Sequence, residues 1–286
     1  MKRIAVRACF AVFVIALPGV VRGAEPVPTA KPNLGLLKVA HRGAKKFAPE
    51  NTIPAIEKAI ELGFDYVELD VQYTKDGRPV VMHDFALLRT TGNLGVVKLF
   101  TLAQITKLDA GSWFGEEFRG VKVPSLEDAL KAMKGRIGLY MDQKEPPNEE
   151  AVRLLEEYGF LPDNMIVVGS NARQKEFRRL YPKAPVMPNI SKLDEMDEVM
   201  VELPSPAAFN THYHNFADVM DELVEAAHAR GAMVFVNTMW TGETPEVMRR
   251  IIEAGADAIQ TDEPVMLNEV LEEMRKEYGE GGGGSG

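Results

Sequence analysis

Two histidines and a Glu-x-Asp pair fall close together in this chain, each where an apolar run should form or end a strand. His41-Arg42-Gly43 follows the run 36–40, Glu68-Leu69-Asp70 lies within a second, and His83-Asp84 closes a third at 79–82. These residue types suit the cleavage of a phosphodiester. Displacement at phosphorus needs positive charge over the oxygens, one group to take a proton and another to give one. Two imidazoles titrate near neutrality and can fill both proton roles, in either order. Glu68 and Asp70 are two apart, so on a strand they share a face and can chelate one hard cation. Arg42 adds a planar fork matched to phosphate oxygens.

Something must carry these groups to one place, and strand and helix patterns alternate along the chain. Pro54, Ile56, Ala59, Ile60 and Leu62 repeat at helical spacing between Asn51-Thr52 and Gly63. In the run 66–71, Val67, Leu69 and Val71 take one face and Glu68 and Asp70 the other. Thr74-Lys75-Asp76-Gly77 reads as a tight turn. The run 79–83 should therefore return antiparallel, with Asp70 opposite about Val81 and Glu68 opposite about His83. Further strands are expected at 138–144, 165–170, 185–190, 208–213, 233–238 and 258–261, with helical patterns between them. With the hairpin arm set aside, eight strand–helix units remain. That is the pattern of an α/β fold of the (β/α)8 TIM-barrel type. The expected catalytic domain spans 34–278, with a small insertion after the second strand and hairpin at about 85–123. Catalytic groups in such barrels sit at the carboxyl ends of strands. His41, Glu68, Asp70, Asp142, Lys144, His212, Asn237 and Asp262 all fall at or near those ends.

Both termini are set apart. Residues 1–24 read as a secretory signal peptide: Lys2, Arg3 and Arg7 precede the apolar stretch 8–17, and cleavage is expected near Gly23 or Ala24. That apolar stretch is short for a membrane span. No stable membrane insertion is expected after cleavage, and the destination is the periplasm or the medium of a bacterium. Cys9 is the only cysteine and lies in that segment, so neither disulfides nor a thiol nucleophile remain after processing. Residues 279–286, ending in GGGGSG, read as a linker outside the fold. Loss of Lys2, Arg3, Arg7 and Arg22 moves the formal net charge from −9 to −13. So acidic a surface repels nucleic acid, which is excluded as a partner. A small-molecule phosphodiester must be attracted locally, and the oligomeric state is left open.

Several motifs then occur together and in order: Ala40-His41-Arg42-Gly43, Pro49-Glu50-Asn51-Thr52, Glu68-Leu69-Asp70-Val71-Gln72, Val81-Met82-His83-Asp84 and Thr261-Asp262-Glu263-Pro264. With Thr74-Lys75-Asp76-Gly77, Arg89-Thr90-Thr91-Gly92 and Pro124-Ser125-Leu126-Glu127, the chain resembles the glycerophosphodiester phosphodiesterase family over about 37–275. The resemblance implies a TIM barrel with an insertion, one divalent cation (calcium or magnesium), and hydrolysis of glycerophosphodiesters to an alcohol and glycerol 3-phosphate. It implies His41 and His83 as the acid/base pair, Glu68, Asp70 and Asp142 as metal ligands, and Arg42 and Lys144 as phosphate contacts. One departure bears on the metal. The family usually shows Glu-x-Lys at the third strand's end, whereas this chain has Asp142-Gln143-Lys144, one methylene shorter.

Other residues carry weaker signals. Glu50 stands before a helix start, either as a carboxylate of the site or as simple helix-terminus electrostatics. Trp240 follows the seventh strand, where it could pack on the glycerol or alcohol moiety. His212 and His214 could project together from an extended segment, lining the mouth or holding a transition metal. His228 falls on the apolar face of a helix and reads as structural. Two alternative functions follow from the same residues: a lysophospholipase D or phospholipase-type enzyme on longer lipids, for which Leu99, Phe100, Trp113 and Phe114 of the insertion leave room, and a non-catalytic barrel that captures phosphodiesters.

Overall fold

A computed structural model describes residues 32–239 and 242–280; residues 1–24, expected as a signal segment, Trp240 and the terminal GGGGSG lie outside the described residues. Its strands are β1 (Leu37–Ala40), β2 (Tyr66–Tyr73), β3 (Pro79–Val81), β4 (Gly138–Gln143), β5 (Met165–Val168), β6 (Ala208–His212), β7 (Met233–Asn237) and β8 (Ala258–Thr261). Seven of them pair in parallel in the order β5-β4-β2-β1-β8-β7-β6, while β3 pairs antiparallel with β2. Helices lie between successive parallel strands, giving a nearly closed TIM barrel.

The segment 185–190, expected as a strand, fills the gap between β5 and β6 with two isolated parallel bridges, Val167 to Val186 and Asn189 to Asn210. Pro185 and Pro188 explain the interruption, because neither has an N–H to give to a ladder. The closure therefore holds through a few hydrogen bonds, among them Met187 N–H to the Val167 carbonyl at 2.8 Å and Asn210 N–H to the Pro188 carbonyl at 2.9 Å.

Alternation along the strands sorts side chains between the outer helices and the barrel interior. Val67, Leu69 and Val71 of β2 belong to the large core shared with the helices. The interior set begins apolar, with Val39, Tyr140, Ile166, Ala208, Phe235 and Ala258 packed together at the base. Two residues further along, five of these inward positions are polar, His41, Asp142, Asn210, Asn237 and Gln260, while Val168 of β5 stays apolar. Period 2 thus converts an apolar plug into a polar mouth at the strands' carboxyl ends.

The hairpin register differs by one residue from the sequence expectation. Val71 pairs with Val81 and Tyr73 with Pro79, so Asp70 faces Met82 instead of Val81. The turn accounts for the shift. It takes in Arg78, whose carbonyl accepts the Thr74 N–H at 3.0 Å, making the connection one residue longer than Thr74 to Gly77. After β3, the insertion folds as short helical turns (Leu88–Thr91, Val97–Leu99, Leu102–Ile105 and Glu116–Phe118) around its own core of Met82, Leu87, Val97, Ile105, Ala110 and Val123.

Candidate active site

The turn after β1 is bent by its backbone. Arg42 and Gly43 both adopt left-handed conformations, with φ of 55° and 80°. Gly43 is required twice over, because a Cβ there would lie 2.6 Å from the Ala55 Cβ and 2.9 Å from its carbonyl oxygen. This bend turns the Arg42 N–H onto Glu68 Oε2 at 2.7 Å. It also lets Asn51 N–H donate to the Arg42 carbonyl at 2.9 Å. Asn51, itself left-handed at φ 57°, clasps Asp70: its Nδ2 donates to Oδ2 at 2.6 Å, and its Oδ1 accepts the Asp70 N–H at 3.2 Å.

Glu68, Asp70 and Asp142 form one acidic cluster, each offering an oxygen within 4.8 Å of the others. Asp70 and Asp142 are register partners on adjacent strands, so the shorter Asp142 side chain still reaches the group. Lys144 Nζ lies 2.8 Å from Asp70 Oδ1 and 2.5 Å from Asp142 Oδ2, while Arg42 Nε is 3.4 Å from Asp70 Oδ2. Burial pushes the Glu68 carboxyl well above its usual range, and the charges on Asp70 and Asp142 push it further. Burial opposes ionisation of Asp70 too, but Lys144, Arg42 and His83 outweigh it and hold that carboxyl low. Three clustered carboxylates facing two cations leave Glu68 short of positive charge. A divalent cation held by these three oxygens fits that deficit, and hard oxygen donors fit calcium or magnesium.

Both histidines are held at Nδ1 by a carboxylate. His41 is buried and its Nδ1 donates to Asp262 Oδ1 at 2.7 Å; Lys45 Nζ shares that oxygen at 2.9 Å. A carboxylate can only accept, so the proton sits on Nδ1 and Nε2 is left facing Glu68 Oε2, 3.9 Å away. Burial lowers the His41 pKa, and the Lys45 and Arg42 charges add to that against the pull of Asp262. The ring is therefore neutral at pH 7. His83 stands nearer solvent, with Nδ1 2.6 Å from Asp84 Oδ1. Asp84 is drawn down to about 2 by its hydrogen bond from Arg89, despite partial burial. The two rings, the acidic cluster, Arg42 and Lys144 line one cavity of about 170 Å³, with Tyr140, Asn210, His212 and Asn237 on its other walls.

Glu50 is not on that cavity; it lines the depression beside it. Its two oxygens are taken up by Arg42 at 3.0 Å and Arg89 at 2.7 and 2.8 Å. It braces guanidinium groups and offers nothing to an anion. His212 and His214 stack at 5.5 Å, but the chain turns helical at Tyr213–Phe216, so only His212 belongs to β6. Among the described residues no third ligand joins them in a metal cluster. From sequence, Asp262 is marked as a strand-end residue inside a motif, and Lys45, Asn51, Asp84, Arg89 and Glu243 receive no chemical role. Asn51, Asp84 and Arg89 lie inside quoted motifs; nothing local marks Glu243.

His228 is structural, with Nε2 2.8 Å from Asp257 Oδ2. That hydrogen bond raises its pKa above the unfolded value, against burial. The stabilisation is full below the unfolded pKa and disappears as pH rises through the folded one. For this half-buried pair it amounts to under about 1 kcal/mol. His228→Gln should therefore lower the melting temperature more at pH ~5.5 than at pH ~8.5.

Comparison with known proteins agrees with this geometry. A model of the glycerophosphoryl diester phosphodiesterase family matches residues 41–266. A glycerophosphodiester phosphodiesterase of Caldanaerobacter subterraneus subsp. tengcongensis is 36% identical over 243 residues, 81% of this chain and 96% of that protein. The crystal structure of a glycerophosphodiester phosphodiesterase from Agrobacterium tumefaciens superposes with a TM-score of 0.75 at 29% identity, covering 82% of this chain and 99% of that one. A phosphodiesterase of Oleispira antarctica, solved in complex with the product sn-glycerol-3-phosphate, gives 0.72 at 26% identity, covering 82% and 96%. Matched along nearly all of its barrel, this chain belongs to the glycerophosphoryl diester phosphodiesterase family, a family of phosphoric diester hydrolases.

Proposed function

We propose that the protein hydrolyses glycerophosphodiesters to an alcohol and glycerol 3-phosphate, with one divalent cation, calcium or magnesium, and His41 and His83 as its proton-transfer pair. One observation carries this reading: a single cavity gathers two carboxylate-held imidazoles, three clustered carboxylates and two cations. Glu68, Asp70 and Asp142 hold the cation, which when bound neutralises charge on the phosphoryl oxygens. Arg42 and Lys144 hold the phosphate from the same side, and their partners Glu50 and Asp70 keep them aimed there. His41, buried with Nε2 beside the cluster, accepts the proton of the nucleophile, which is water or the neighbouring glycerol hydroxyl; in the second case the alcohol leaves a cyclic phosphate, which water then opens to glycerol 3-phosphate. His83, closer to solvent, gives a proton to the departing alkoxide. The N-terminal segment directs the enzyme, as a signal, to the periplasm or the medium.

Chelation should abolish turnover of glycerophosphocholine, and added calcium or magnesium should restore it. His41→Ala and His83→Ala should each reduce kcat about 100- to 10,000-fold; near-normal turnover in either variant would refute the two-histidine scheme. Longer lipids are a second reading favoured by the insertion. Phe85, Leu88, Leu94, Leu99 and Trp113 are all exposed there, whereas Phe100 packs into the insertion's own core. Assaying lysophosphatidylcholine beside glycerophosphocholine separates the two.

A further inference from the structure

The loop leaving β7 carries an acidic residue that none of these steps uses. Glu243 is partly buried, and its carboxylate reaches the end of β8. Its Oε1 accepts from the Thr238 hydroxyl at 2.5 Å and from the Thr261 hydroxyl. Both its oxygens accept from the Asp262 N–H, at 3.2 and 3.1 Å. Thr261 Oγ1 in turn accepts the Glu263 N–H at 2.8 Å. The Asp262 side chain leaves this corner in the other direction, toward His41 Nδ1 at 2.7 Å and Lys45 Nζ at 2.9 Å.

We infer that Glu243 is a positioning residue of the reaction: it fixes the Asp262 backbone so that the Asp262 carboxylate holds His41 in one tautomer and one orientation. The inference rests on the proton-accepting role of His41 proposed above. Two physical arguments support it. Hydrogen bonds to a charged acceptor are stronger than neutral ones, and here two hydroxyls and the Asp262 N–H tie the ends of β7 and β8 to one carboxylate. Like charge does the rest. Glu243 and Asp262 repel each other, so the Asp262 carboxylate is driven toward Lys45 and His41. Among the described residues Glu243 forms no salt bridge that would offset its charge. A displacement of ~1 Å in a reacting group can cost about 100-fold, so a loosened Asp262 should be felt at His41.

The test is a double-mutant cycle on the full chain, with glycerophosphocholine and saturating metal. Glu243→Ala should lower kcat about tenfold and leave KM within about twofold, and Glu243→Gln should lose less, because one oxygen still accepts. In an Asp262→Asn background, Glu243→Ala should cost under about twofold, since its effect passes through Asp262. An unchanged kcat in Glu243→Ala, or the same loss in both backgrounds, would overturn the inference. Proton NMR supplies a readout that needs no turnover. The His41 Nδ1 proton should resonate far downfield in the native protein, shift or broaden in Glu243→Ala, and persist in Glu243→Gln. An identical resonance in all three would also overturn it. If the native protein failed to turn over glycerophosphocholine, the substrate assignment would fall while the NMR comparison still decided the role of Glu243.

Discussion

Asp70→Asn should reduce kcat/KM on a glycerophosphodiester by about a thousandfold or more, roughly 4 kcal/mol of transition-state stabilisation, while leaving the melting temperature nearly unchanged. Asp70 ties several parts of the site together: Lys144, Arg42 and both ends of the Asn51 side chain meet it. Neutralising it removes one of three cation ligands and frees Lys144 to swing toward Asp142 alone. Stability should respond weakly because two effects oppose each other. Arg42 and Lys144 lose a partner, but Glu68, held above its usual range by burial and by its acidic neighbours, is relieved of one of them. Enzyme kinetics, metal titration by calorimetry and thermal melts check the three parts. A large fall in melting temperature with activity retained would mean that the cluster serves the fold.

Gly43→Ala should behave in the opposite way, lowering stability and activity together. A left-handed alanine costs about 1 kcal/mol, and forcing a methyl against packed atoms costs about 1–3 more. The obstacle is the backbone of Ala55 in the helix Ile53–Glu61, which cannot step aside as a flexible side chain would. A loss of about 2–4 kcal/mol would lower the melting temperature by roughly 5–12 °C in a domain of this size. The His41–Arg42 turn would also shift away from Glu68, so activity should fall at temperatures where the protein remains folded. Circular dichroism melts and initial rates at low temperature check this.

The barrel was legible because its information is local and repeated. Period-2 alternation placed Glu68 and Asp70 inward and Val67, Leu69 and Val71 outward, and a fixed register then set Asp142 beside Asp70. Where one residue of turn chemistry decided the outcome, sequence reasoning slipped. Arg78 belongs to the hairpin turn, so Asp70 faces Met82 and not Val81. Two prolines reduced an expected strand at 185–190 to isolated bridges. Site residues were legible when their type already implied chemistry at a strand end, as for His41 and His83. The supports were not. Asp262 lies 221 positions from His41, and Glu243 meets Asp262 only because β7 and β8 are neighbours. Glu50 reads from sequence as a carboxylate of the site or as helix-terminus electrostatics, and only the fold brings Arg42 and Arg89 onto its two oxygens.

The most direct measurement is product analysis of glycerophosphocholine incubated with the protein and calcium or magnesium, by phosphorus NMR. Free choline and glycerol 3-phosphate are the expected products, appearing only with metal and with both His41 and His83 intact. Phosphocholine and glycerol in their place, or no cleavage under any metal, would contradict the assignment of this cavity to glycerophosphodiester hydrolysis.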